Sequence, residues 1–95
     1  MPDIVRIAKN EEYLDEASQA VSELLTALEK YAAAKPKLAA LCSYYKTDWM
    51  TDLNDDISGL LPENLKRGVL SEDAVFDLLA ADEAVKRLAS EIFGE

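Results

Sequence analysis

The sequence predicts an all-α protein, an elongated antiparallel three-helix bundle with a short extra helical turn in its second connection. Three observations carry that expectation. Apolar residues recur at alternating steps of three and four over long stretches, and no stretch alternates at period two. Gly and Pro together number only six, and Gly59, Pro62 and Gly68 fall within ten residues of one another. The chain has 95 residues, 49% of them hydrophobic and 31% charged, which is a single globular domain by length and composition.

The first helix is predicted over about residues 3–34. Ile7, Leu14, Ala17, Val21, Leu24, Leu28 and Tyr31 form one seam of heptad character, interrupted by Asn10. Glu12, Glu16, Ser22, Glu23 and Lys30 lie opposite, as the wetted face of such a helix requires. A helix of this length is roughly 45 Å long, so an elongated arrangement is expected.

Lys35-Pro36 breaks the pattern, because Pro has no N–H for a helix interior but suits a first turn. A second helix is therefore expected over about 36–56, through Leu38, Leu41, Cys42, Tyr45, Trp49 and Leu53, with a break at Thr47-Asp48 as an alternative. Residues 57–70 form the connection, with a helical turn at 62–67 opened by Pro62 and closed by Gly68 as a left-handed cap. The third helix is expected over about 71–93. Ser71 is its N-cap, Glu72 and Asp73 lie in its first turn, and Leu70 is placed to staple onto Val75. Ala74, Leu78, Ala81, Val85, Leu88 and Ile92 make its seam, and Gly94 ends it.

Absent residues exclude whole reaction classes. There is no His, so a Ser-His-Asp triad, a Cys-His pair and a paired-His zinc helix are closed, and the chain reads as non-enzymatic. One Cys makes neither an internal disulfide nor a Cys-rich zinc site. Cys42 has only Lys46 one turn away and is expected to be a buried structural thiol. A net charge of −9 opposes both nucleic acid and anionic membrane as partners. The opening Met1-Pro2-Asp3 lacks the features of a secretory signal, and the expected location is the cytoplasm.

Three groups of residues are candidates for function. Asp48, Asp52, Asp55 and Asp56 place hard oxygens on one helical face, a possible Ca²⁺ or Mg²⁺ site. Read as a loop, Asp52, Asn54, Asp56, Ser58 and Glu63 fall on ligand positions of a calcium-loop template. The match fails at position six, where Ile57 stands in place of the turn-forming Gly, and a solvated acidic face is the better reading. Tyr45 and Trp49 lie one turn apart with Tyr44 beside them, and such aromatics either anchor a protein interface or pack at the edge of the core. Lys66 and Arg67 are the adjacent cations before the third helix. They can assist an anion at its N-terminus or, as the favoured reading, pair with the Asp48 to Asp56 cluster. The carboxylate pairs Glu12/Glu16 and Asp73/Asp77 are expected to face water.

The string Leu65-Lys66-Arg67-Gly68-Val69-Leu70-Ser71-Glu72-Asp73, leading to Asp77-Leu78-Leu79, resembles a small bacterial helical family known as domain of unknown function 4298. Tyr44-Tyr45, Trp49, Asp52, Gly59 and Leu61-Pro62 extend the resemblance over nearly the whole length. The chain departs from the family's pattern at Phe76, where Tyr is commoner, and at Leu60, where Lys is frequent. The resemblance implies a bacterial, cytoplasmic, helical protein and brings no activity, ligand or cofactor.

The function expected from these readings is a protein-protein interaction or self-association module without a cofactor. Its surface is either Tyr44, Tyr45, Trp49, Lys66 and Arg67 or an exposed stretch of the long helices, and its partner is another protein or a second copy. The alternative is a divalent-cation or small-ligand site on the acidic cluster.

Overall fold

The computed structural model describes residues 1–94, and among them there are three α-helices, one short 3-10 helix and no strand. The helices are α1 (Ile4–Lys46), α2 (Trp49–Ile57) and α3 (Ala74–Phe93), with the 3-10 helix at Gly68–Leu70. By internal contacts the chain divides into two compact units, residues 1–35 and 36–95.

The first unit is the leading part of α1. Asp3 caps it: its carbonyl accepts from the Ile7 N–H at 3.1 Å and its Oδ1 accepts from the Arg6 N–H at 3.0 Å. Short-range pairs decorate the surface, among them Lys9 with Glu12 at 3.8 Å and Gln19 with Glu23 at 3.0 Å. The expected polar face is wet, but so is most of the expected seam, Tyr31 at its end being half-buried, and no residue of α1 is fully buried.

The expected helix break at Lys35-Pro36 is corrected: α1 passes through Pro36 and ends at Lys46. Pro36 forfeits the bond its missing N–H would make to the Ala32 carbonyl. The strong helix formers on either side, Ala32, Ala33 and Ala34 before it and Leu38, Ala39 and Ala40 after it, outweigh that loss. The division between the two units nonetheless falls at this peptide.

In the second unit the break comes at Thr47-Asp48, so the expected helix over 36–56 is really the end of α1 followed by α2. Thr47 does not cap α2. Its Oγ1 donates back to the Ser43 carbonyl at 2.8 Å, and Asp48 stands at the N-cap without a side-chain cap bond. The other end of α2 is closed more tightly. The Ser58 N–H bonds to Asn54, Gly59 to Asp56 and Leu60 to Asp55, each at 3.0 Å, with Gly59 at φ 73°. That is a Schellman closure with glycine in the left-handed position.

The expected turn at 62–67 reduces to one Leu65 N–H to Pro62 carbonyl bond at 3.2 Å, and the short helix lies three residues later at 68–70. Gly68 is helical there and not a left-handed cap, a role taken instead by Gly59. The start of α3 is corrected likewise. Ser71 closes the 3-10 helix, its N–H bonded to the Gly68 carbonyl, and Asp73 is the N-cap of α3. Gly94 ends α3 as expected, at φ 70° with its N–H on the Ser90 carbonyl.

The core of this unit is Trp49, Leu70 and Val75, one residue each from α2, the 3-10 helix and α3. The 3-10 helix packs against both α2 and α3. On α3 the covered row is Val75, Leu79, Asp82 and Ala89, one position on from the expected seam, whose large members Leu78, Val85, Leu88 and Ile92 are exposed.

Candidate functional site

Two places hold the residues that sequence reading singles out. The first is the joint between the end of α1, α2 and the connector. Tyr44 and Tyr45 sit on the last turn of α1, and Trp49 opens α2. The Tyr45 and Trp49 rings meet at 5.0 Å between centroids and 55° between planes, a tilted aromatic pair. Trp49 is only 7% exposed, and its Nε1 donates to the Val69 carbonyl at 2.8 Å across twenty residues of sequence. The indole therefore holds the connector onto α2.

Two polar bonds flank it. The Tyr44 hydroxyl donates to Asp52 Oδ2 at 2.7 Å. That bond, then burial, then the charges of Asp52 and Asp48 push the Tyr44 phenol up to about 12, because each disfavours a phenolate beside carboxylates. Arg67 donates from Nη1 to Asp56 Oδ1 at 2.8 Å, half-screened from water, the pairing favoured from the sequence. Lys66 is exposed, as are Asp48, Glu12, Glu16, Asp73 and Asp77, while Asp55 and Cys42 are half-buried.

The acidic face divides its carboxylates between separate partners, Asp52 toward Tyr44 and Asp56 toward Arg67. Among the described residues no three His, Cys, Asp or Glu side chains form a group able to hold a metal ion. No helix among them is long and apolar enough to cross a membrane.

The second place is the leading unit of α1. Ile7, Leu14, Val21, Leu24, Leu25 and Leu28 are 46–67% exposed, and Ala17, Ser18, Val21, Ser22 and Leu25 line a shallow groove on the helix surface. The seam expected from Ile7 to Tyr31 lies on this unit, with Ile7, Leu14, Ala17, Val21, Leu24 and Leu28 exposed there and Tyr31 half-buried.

Comparison with curated proteins and with solved structures gave no significant match. The family model described as Domain of unknown function (DUF4298) matches residues 7–91. With that span covered and the Leu65 to Asp73 string within it, the chain belongs to the DUF4298 family.

Proposed function

We propose that this protein is a non-enzymatic interaction or self-association module whose working surface is the apolar row of the leading half of α1. The observation that carries the reading is the row itself, large aliphatic side chains at heptad spacing left in water. A lone helix of this kind is marginal in water, because most helical stability in proteins comes from covering an apolar face.

The joint at Trp49 is the weaker candidate for a partner surface, since its indole and guanidinium are spent on internal bonds. The charge of −9 supports neither nucleic acid nor anionic membrane as partner, and the absence of His supports a non-enzymatic role.

The test is Leu24→Glu, compared with the parent by urea unfolding at a dilution where both are monomeric. A surface row predicts a midpoint within about 0.5 kcal/mol of the parent. A loss above about 2 kcal/mol would mean that Leu24 is core within one chain, and the interaction reading would fail.

A further inference from the structure

We infer that the partner covering the leading half of α1 is a second copy of this chain, docked parallel and in register through the same row. The inference rests on the interaction reading above and names its occupant.

Four features of the helix select that occupant. The first is length: the exposed row from Ile7 to Leu28 needs a helical partner of matching extent, and α1 itself supplies one. The second is area. Covering six aliphatic side chains on each of two chains removes on the order of 1,100 Å² from water, which reaches the ~1,000 Å² a biological interface must clear.

The third is Asn10. With Ile7, Leu14, Val21 and Leu28 at the a positions, Asn10 takes a d position of the same row. Its Nδ2 bonds to the Arg6 carbonyl at 2.8 Å, and its amide has a second hydrogen and an oxygen to offer. In a parallel in-register pair Asn10 meets Asn10 of the other copy, and the two amides satisfy each other. In an antiparallel pair d positions face a positions, so Asn10 would meet Ile, Leu or Val. Against α3 it would meet a row of Ala74, Leu78, Ala81, Val85, Leu88 and Ile92, with no polar residue. A seam amide is costly unless paired, which sets both orientation and register.

The fourth is charge. Arg6 is a g position and Glu11 an e position five residues on, the relation that brings opposite charges together across a parallel coil. Antiparallel packing sets g against g and e against e, so Arg6 and Glu11 never meet. The later flanking positions, Tyr13, Ser18, Ala20, Leu25, Ala27 and Ala32, carry no charge and oppose neither orientation.

The experiment pairs sedimentation velocity on the parent and Leu24→Glu with oxidative cross-linking of Pro2→Cys in a Cys42→Ser background. Pro2 precedes the helix and is exposed, and Cys42→Ser alone is the control. A dimer weakened at least tenfold by Leu24→Glu, with rapid disulfide formation through Cys at position 2, is the expected result. A dimer that fails to cross-link there overturns the parallel register. A strict monomer at high concentration overturns the second copy as occupant. If Leu24→Glu then leaves the urea midpoint in place, the row is open to a different protein and the interaction reading survives; if it unfolds the monomer, both fall.

Discussion

Gly59 and Gly68 offer a matched pair of substitutions with opposite expected signs. A Cβ built at either position meets nothing within 4 Å, so sterics with neighbours drop out and only the backbone decides. Gly59 sits at φ 73°, where a residue with a Cβ costs roughly 1–2 kcal/mol. Replacing Gly by Ala also stiffens the unfolded chain, which offsets roughly 0.4–1 kcal/mol. Gly59→Ala should therefore lose about 1 kcal/mol. Gly68 is helical, so Gly68→Ala keeps the gain without the strain and should be stabilising by about 0.5 kcal/mol. With a urea slope of about 1 kcal/mol/M, the two midpoints should lie about 1.5 M apart at equal protein concentration. Equal midpoints, or a larger loss at Gly68, would refute the assignment of the left-handed closure to Gly59. Gly59→Asn should recover part of the loss, since Asn tolerates that conformation better than Ala.

Tyr44→Phe should cost about 1 kcal/mol, a hydrogen bond to a carboxylate discounted for partial exposure. Because the Tyr44 phenol is raised above its ordinary 10.0 to about 12, its contribution is whole below pH 10 and is lost as pH climbs through 12. Phenolate absorbance should show a late inflection that Tyr44→Phe removes, and an unchanged titration curve would count against the bond. Asp56→Asn should lose about 1 kcal/mol through Arg67, with the gap from the parent narrowing at 1 M salt in thermal melts. A gap insensitive to salt would assign the loss to packing.

Periodicity and caps were readable where one local force acts alone. The helical class, the stop at Gly94 and the pairing of Arg67 with the acidic face all follow from spacing, backbone freedom or charge. Elsewhere two local rules compete. At Pro36 a missing N–H opposes a run of Ala, and the run prevails. On α3 the rows Ala74/Leu78 and Val75/Leu79 are both apolar and one position apart, so periodicity cannot choose between them, and the 3-10 helix selects the second. Gly59 and Gly68 both precede aliphatic residues, and only the end of α2 at Ile57 shows which one closes a helix. The Trp49 to Val69 bond spans twenty residues, a separation no local pattern encodes. For the leading row of α1, heptad spacing marks which side chains want cover but does not say whose chain provides it.

The indole bond to the Val69 carbonyl also gives this protein a built-in optical gauge. With one Trp in the chain, emission reports a single site, and that site is shut only while residues 67–70 stay seated on α2. A red shift on warming therefore times the departure of the connector, separately from the far-ultraviolet ellipticity, to which α1 with its 43 residues contributes most, and the two curves will part if the units melt independently.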